Sequence, residues 1–187
     1  LPAYASATQS DPLAARQRAI VIGYGPVGRT VTRLLRDNGL EAVVIDLNLD
    51  TCRKLREAGI TAVYGDARLK ATLQEAGVEH AGSLVLSSAG QPGCKEILQT
   101  ARELNPRLRI LARTVYVSEM AELQAAGADT VYSGEGEVGL AFLLALLRGL
   151  GASVDQIDRE RERAHADLFG TQPRADHWSP PNESSGG

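Results

Sequence analysis

Three glycines near the start of the chain have the spacing of a phosphate-binding loop. Gly23, Gly25 and Gly28 lie in the stretch AIVIGYGPVGRT, directly after four apolar residues. In such a turn the first glycine permits a tight bend, the second lets the backbone approach a phosphate, and the third allows a helix to pack closely on a strand. Pro26 suits the first turn of the following helix, whose free N–H groups and dipole attract anions. The stretch therefore predicts a nucleotide-phosphate site.

An acidic residue follows at the separation that a ribose-binding group requires. Asp46 ends the apolar segment AVVID, about twenty residues after the glycines. Its carboxylate can accept hydrogen bonds from the 2′- and 3′-hydroxyls of an adenosine ribose, and its charge disfavours the 2′-phosphate of NADP. We include the next residue, Leu47, in the predicted site. The alternative is that Asp46 is a simple loop or capping residue.

Further polar residues follow later strands of the predicted sheet. Asp66, in YGDA, can meet the exocyclic amine of adenine, with Ala67 leaving room for the base, or it can cap the next helix. Ser87 and Ser88 can bond phosphate or ribose, or cap the helix after them. Arg113 ends the fifth strand, where a guanidinium can clamp a phosphate; an exposed ion pair is the alternative.

Short apolar segments alternate with helical segments between residues 19 and 150. Strands are predicted at 19–22, 42–46, 61–64, 83–87, 109–113 and 130–132, and helices at 26–38, 49–58, 69–76, 93–104, 118–126 and 137–150. Strands that are apolar throughout belong in a sheet covered on both faces, and alternation with helices implies a parallel sheet. We predict an α/β fold: a Rossmann-like, doubly wound, six-stranded parallel sheet in the order 3-2-1-4-5-6, with a C-terminal helical and disordered tail.

The composition changes on both sides of this region. Residues 1–18 are small and polar with two prolines, and we predict a linker there. Residues 19–150 are predicted to form the nucleotide-binding domain, and 151–187 a charged helical segment and a disordered tail. The longest apolar run, at 140–147, is far shorter than the about 20 residues of a membrane span, so we expect this stretch of chain to be soluble.

Charge and residue content disfavour several kinds of partner. The net charge of −3 gives no basic field for nucleic acid. The two cysteines, Cys52 and Cys94, are far apart and have no CxxC partner, so neither a zinc site nor a disulfide framework is expected, and no metal site is predicted. The helix at 137–150 is apolar over most of its circumference, which predicts a homodimer interface. Cover from the C-terminal segment is the alternative.

The groups that an oxidoreductase would need are missing from the predicted site. His80 is predicted at the opposite edge of the sheet, and the other two histidines, His165 and His177, follow the domain. A proton donor or acceptor must lie beside a nicotinamide for hydride transfer. We therefore predict a ligand-binding domain with no catalytic residues and no enzyme activity. An NAD-dependent oxidoreductase fragment is the alternative.

The segments VIGYGPVGRT, VVID, VYGDA, ARTVY and VYSGEGEVG, in this order, resemble the RCK N-terminal (TrkA-N) domain. This is the cytoplasmic regulatory domain of potassium channels and transporters, and the sequence is most similar to the C-terminal domain of Kef-type monovalent cation:proton antiporters. The resemblance covers residues 18–150. It implies a Rossmann fold, a homodimer and binding of an adenine nucleotide, with AMP favoured and ATP, ADP or NAD(H) as alternatives.

The resemblance also assigns site residues and a cellular context. It implies that Asp46 holds the ribose, that Asp66 and Ala67 face the adenine, that Arg113 lies on the phosphate side, and that the phosphate and ribose cradle comprises Gly23, Tyr24, Gly25, Val27 and Gly28. Many relatives carry arginine at the position of Pro26. We include Pro26 itself in the predicted site. The implied partner is an upstream membrane transport domain, at the cytoplasmic face of the inner (cell) membrane, whose cation transport the nucleotide gates.

Overall fold

The computed structural model describes residues 18–169. Its strands are β1 (Arg18–Ile22), β2 (Glu41–Asp46), β3 (Thr61–Tyr64), β4 (Ser83–Leu86), β5 (Arg109–Thr114) and β6 (Thr130–Ser133). Its helices are α1 (Pro26–Asp37), α2 (Leu49–Glu57), α3 (Lys70–Glu75), α4 (Cys94–Leu104), α5 (Met120–Ala125), α6 (Gly134–Gly149) and α7 (Val154–Phe169). Apart from Arg18, the predicted linker lies outside the described residues, as does the predicted disordered tail from residue 170 onward.

The strands form one parallel sheet in the order β3-β2-β1-β4-β5-β6. This confirms the predicted doubly wound Rossmann-like architecture. Ile22 at the end of β1 is in register with Ile45 on one side and with Leu86 on the other. The carboxyl ends of β1, β2 and β4 therefore meet at one edge, where the direction of the strand order reverses and such folds bind ligands.

The centre of the sheet is buried on both faces. Successive residues of β1 and β2 are almost fully inaccessible, including Ile20, Val21 and Val44, which are each 0% exposed. Because neighbouring strand residues point to opposite faces, both faces must be covered, which is why these strands show no polar alternation. Burying one such aliphatic side chain contributes about 1.5–3 kcal/mol. The rigid sheet fixes the positions of the loops at its edge.

Several predicted boundaries differ from those of the structure. α6 begins at Gly134, three residues earlier than the predicted start at residue 137, although its first residues are glycine-rich. The Glu135 N–H donates to the Val115 carbonyl at 3.0 Å, and the Glu135 carboxylate accepts the Val117 N–H at 3.0 Å. These long-range bonds stabilise the first turn despite the low helix propensity of glycine. The predicted helix at 118–126 is divided into a 3₁₀ turn at Val117–Glu119 and α5.

The described residues divide into two compact units, separated between Glu135 and Gly136. The first contains the whole sheet. In the second, the described parts of α6 and α7 contact each other, because a Cβ on Gly139 would lie 3.8 Å from Leu168 Cδ1. The predicted domain end at residue 150 stays a prediction. Within residues 18–169, none of the helices combines the length and apolar character needed to cross a membrane.

Candidate functional site

The glycine loop joins β1 to α1 at the centre of the sheet edge. Gly23 has a φ of +89°, which side-chain-bearing residues rarely adopt, and its N–H donates to the Ile45 carbonyl at 2.9 Å. Gly25 precedes α1, with no side-chain cap on the helix. The first-turn N–H groups of α1 therefore lack intrahelical partners and are available to an anion.

Gly28 allows the helix to approach the loop. A Cβ at this position would collide with the Gly23 carbonyl oxygen and would lie 2.9 Å from Ser87 Oγ. No heavy atom lies within 4 Å of the corresponding point on Gly25. The space beside Gly25 is open, whereas the space beside Gly28 is filled by the protein itself. The three glycines thus serve different physical purposes within one turn.

Asp46 connects the glycine loop to the turn after β2. Its Oδ2 accepts the Tyr24 N–H at 2.7 Å, and its Oδ1 accepts the Asn48 N–H at 2.8 Å. Both bonds fix the carboxylate in place, and each oxygen retains a lone pair for a further donor. Asp46 is half-buried and lines a cleft at the sheet edge. The position is suited to accepting hydroxyl hydrogen bonds from a ribose.

The cleft has a volume of about 260 Å³ and lies at the ends of β1, β2 and β3. The predicted site residues that line it are Gly23, Asp46, Leu47, Asp66, Ala67 and Ser88. Its lining combines two carboxylates, a guanidinium, a side-chain amide and a serine hydroxyl with aliphatic side chains. Small-ligand sites typically combine an apolar lining with a few polar groups in this way.

Other predicted residues support the cleft without lining it. Tyr24 supplies its N–H to Asp46, and its side chain packs against buried hydrophobic residues. Ser87 is buried and its hydroxyl contacts the Ile22 and Gly23 carbonyls, at 3.0 and 2.8 Å. Ser87 is therefore not placed as a ligand-binding hydroxyl here. Neither Ser87 nor Ser88 caps α4, because Gly93 occupies the capping position.

Pro26, Val27 and Arg113 also lie outside the cleft lining. Pro26 and Val27 are exposed in the first turn of α1. Arg113 is half-buried, and within residues 18–169 its side chain has no hydrogen-bond or ion-pair partner. Its Nη2 lies 3.8 Å from the point where a Cβ on Gly134 would be. The exposed ion pair considered as the alternative for Arg113 is thus not found in the described region.

Asp66 closes a turn at the end of β3. Its Oδ1 accepts the N–H of Arg68 at 2.9 Å, and its Oδ2 accepts Arg68 Nη2 at 2.6 Å and Nε at 2.9 Å. The hydrogen bonds from Arg68 hold the pKa of Asp66 below its usual value. Leu69, not Asp66, precedes α3, so the alternative of a helix cap is wrong. Asp66 instead stabilises a local turn.

The sequence interpretation missed several residues that line the cleft. Arg68 comes from the turn after β3, Gln91 and Pro92 from the loop between β4 and α4, and Ile97 from α4. Arg68 follows Asp66 by two residues, but this spacing alone does not fix the side-chain conformation that pairs them. The positions of Gln91 and Pro92 depend on the path of a loop with two positive-φ glycines, Gly90 and Gly93. Nothing in the residue types specifies that path.

Neither cysteine provides a reactive group at this edge. Burial raises the pKa of the Cys94 thiol, which contacts the Gln91 carbonyl at 3.1 Å. Burial likewise raises the pKa of Cys52. A thiol with a raised pKa remains protonated at neutral pH and is a poor nucleophile. The described cleft offers a ligand hydrogen-bonding groups, charge and apolar contact.

Sequence comparison finds related antiporters. The putative cation/proton antiporter YbaL of Escherichia coli is 34% identical over 125 residues, covering 67% of this chain and 22% of that protein. The glutathione-regulated potassium-efflux system protein KefC of Enterobacter sp. is 32% identical over 152 residues, covering 81% of this chain and 24% of KefC. The chain thus spans about a quarter of the length of these relatives.

Solved structures show the same fold. The crystal structure of the TrkA-N domain of inner membrane protein ybaL from Escherichia coli has a TM-score of 0.67 at 34% identity, over 70% of this chain and 97% of that one. The GsuK channel bound to NAD has a TM-score of 0.60 at 26% identity, and the match covers 68% of this chain and 23% of that one. A Shewanella denitrificans Kef CTD in AMP-bound form has a TM-score of 0.66 at 24% identity, and the match covers 81% of this chain and 95% of that one. This similarity supports the fold.

A family match agrees with the glycine loop, the acid after β2 and the sheet order. Residues 19–134 match the TrkA-N domain. The matched range contains β1 from its second residue onward, β2 to β6 in full, and every residue that lines the cleft. The chain therefore belongs to the TrkA-N domain family.

Proposed function

We propose that the chain is a regulatory domain of a potassium, or other monovalent cation, transport system of the cation:proton antiporter class. The observation that carries the proposal is the cleft in which the glycine loop, Asp46 and Asp66 meet at one sheet edge. An adenine nucleotide fits this arrangement, with its phosphate at the start of α1, its ribose at Asp46 and its base toward Asp66 and Ala67. AMP is the favoured ligand. The NAD named for the GsuK channel supports the wider class of adenine nucleotides.

The proposed ligand regulates and does not react. Of the side chains that usually exchange protons with a substrate, the lining of the described cleft contains the carboxylates of Asp46 and Asp66, and both already accept hydrogen bonds from main-chain N–H groups. Binding can bias a transport domain only by the difference in ligand affinity between its two states. We propose that the linker at 1–18 joins the domain to an upstream membrane transport domain, on the cytoplasmic face of the inner membrane. Arg113, at the end of β5, is proposed to face the phosphate side.

Calorimetric titration of the full 187-residue chain tests the proposal. AMP, ADP, ATP, NAD⁺ and NADH are each added, and at least one, AMP first, is expected to bind at micromolar concentration. The oriented N–H groups of the α1 start and the Asp46 carboxylate supply the expected affinity. Absence of binding by all five would overturn the proposal. Turnover of NADH with a small carbonyl substrate would instead favour an oxidoreductase.

We also propose that α6 forms a homodimer interface. Val138, Phe142 and Leu146 recur every four residues along α6, and Leu150 continues the row directly after the helix ends. They share one side of the helix, and each is more than half exposed. α7 contacts α6 at Gly139 and leaves this face uncovered. A row of exposed aliphatic and aromatic side chains on one helix is typical of an association surface.

Glutamate in place of Leu146 is expected to convert the dimer into a monomer, because a charge at the centre of an apolar interface is left without water or a partner. Light scattering across a range of protein concentrations measures the change. Leu34→Glu is the matched control, since Leu34 is an equally apolar leucine that is 56% exposed on a different helix, α1. A wild-type chain that stays monomeric at high concentration would exclude the interface.

A further inference from the structure

Arg68 donates hydrogen bonds to the Asp66 carboxylate, which is the acceptor that the base of a nucleotide would need. The acceptor positions of Asp66 face Arg68: Oδ1 receives its main-chain N–H, at 2.9 Å, and Nε, at 3.1 Å, while Oδ2 receives Nε and Nη2, at 2.9 and 2.6 Å. A base amino group that donates to Asp66 must therefore compete with the guanidinium. Both residues line the cleft, so the competition takes place inside the site itself.

Arg68 also reaches across to the loop between β4 and α4. A Cβ on Gly93 would lie 2.8 Å from Arg68 Cγ, so the aliphatic part of the side chain rests directly on the Gly93 backbone. The same loop contributes Gln91 and Pro92 to the cleft. One side chain thus contacts both the turn after β3 and the loop after β4, on two sides of the space where the base would lie.

Breaking the ion pair between Arg68 and Asp66 requires little free energy. Arg68 is 52% exposed and Asp66 is 25% exposed, so water can replace either partner. Exposed pairs of this kind contribute little to stability and are weakened further by salt. The main-chain bond from Arg68 to Asp66 does not depend on the guanidinium, so the turn survives when the side chain leaves.

We propose that Arg68 is a specificity-determining competitor: it holds Asp66 in the empty site and must release it before a base can donate its exocyclic amine there. This inference rests on the proposed nucleotide site. A base with an exocyclic amine gains a hydrogen bond on displacing Arg68, whereas a base without one gains nothing. When Arg68 releases Asp66, its side chain also loses its contact with Gly93. Binding of a base therefore changes the contacts of the loop after β4.

The test compares AMP with purine riboside 5′-monophosphate, which lacks only the exocyclic amine. Each is titrated into the full wild-type chain and into Arg68→Gln. The preference for AMP over the amine-free analogue is expected to rise about two- to fivefold in Arg68→Gln, the range that an exposed ion pair can supply. A ratio is the appropriate measure, because the lost positive charge acts equally on the phosphate of both ligands.

Two further variants complete the experiment. Arg53→Gln removes an arginine paired with Asp50 on α2, outside the cleft lining, and is expected to leave the ratio unchanged. Arg68→Lys keeps the charge but loses the two-pronged hydrogen bonding of the guanidinium, so its ratio is expected to lie between those of the wild type and Arg68→Gln. In the wild type, added salt is expected to raise the ratio.

The outcomes separate this inference from the proposed function. If the wild type binds AMP but Arg68→Gln shows the same ratio, or a lower one, Arg68 does not compete for Asp66 and the inference is wrong. An equal gain for both ligands would mean that the variant merely widens the cleft, which also overturns the inference. If the wild type binds neither nucleotide, the proposed site itself fails and the inference fails with it.

Discussion

Replacing Asp46 with alanine is expected to lower the affinity of the chain for AMP by about tenfold or more. Hydrogen bonds to a charged group contribute about 1.5–3 kcal/mol, and every 1.4 kcal/mol changes a dissociation constant about tenfold. The carboxylate is already oriented by the N–H groups of Tyr24 and Asn48, so a ribose that binds it meets a preformed acceptor. Calorimetric titration of AMP into both chains measures the loss.

A lower affinity alone does not prove a ribose contact, because alanine also removes the acceptor of two loop N–H groups. The 2′-deoxy analogue of AMP separates the two effects. The wild type is expected to bind AMP more tightly than 2′-deoxy-AMP. Asp46→Ala is expected to lose this preference, because the 2′-hydroxyl and the Asp46 carboxylate are the two partners of one hydrogen bond. If the preference is the same in both chains, Asp46 supports the loop only and does not hold the ribose.

Much of the site could be predicted because its chemistry follows the ends of parallel strands. Once β1 and β2 are placed side by side, Asp46 must lie beside the glycine loop, since Ile22 pairs with Ile45. Sequence reasoning correctly placed Asp66 and Ala67 at the same edge. The loop role considered as the alternative for Asp46 includes bonds to main-chain N–H groups, but the particular partners, Tyr24 and Asn48, depend on the exact course of two turns.

The features that sequence reasoning did not reveal depend on three-dimensional packing. Ser87 lies one residue before a cleft-lining serine, yet its hydroxyl contacts the Ile22 and Gly23 carbonyls, because successive residues leaving a strand point to opposite sides. The ion pair of Arg68 was missed because a rotamer, and not a spacing, brings it onto Asp66. The early start of α6 was missed because hydrogen bonds from a distant turn compensate for its glycines.

Alanine at Gly28 is expected to destabilise the fold and to abolish nucleotide binding together. The added methyl group would collide with the Gly23 carbonyl oxygen, which is part of the backbone and is held by Ser87 at 2.8 Å. Overpacking of this kind costs about 1–3 kcal/mol and occasionally more. Thermal unfolding is expected to show a melting temperature lower by roughly 2–4 °C for each kcal/mol lost.

Alanine at Gly25 is expected to separate the two effects that Gly28→Ala combines. Within residues 18–169, no heavy atom other than those of Gly25 and its two chain neighbours lies within 4 Å of the added methyl group, and the φ of Gly25, −71°, suits alanine. Stability is therefore expected to change by no more than about 0.5 kcal/mol. Affinity for AMP is nevertheless expected to fall at least tenfold, because the methyl group fills the space through which a phosphate approaches the backbone.

The comparison of these two variants identifies which glycine is needed for the stability of the fold and which is needed for nucleotide binding. A Gly25→Ala chain that melts and binds AMP like the wild type would mean that no phosphate lies over Gly25, and the phosphate would then have to be sought nearer Arg113. A Gly28→Ala chain as stable as the wild type would mean that the helix can withdraw from the loop. The packing of Gly28 against Gly23 would then not be what holds the cleft in shape.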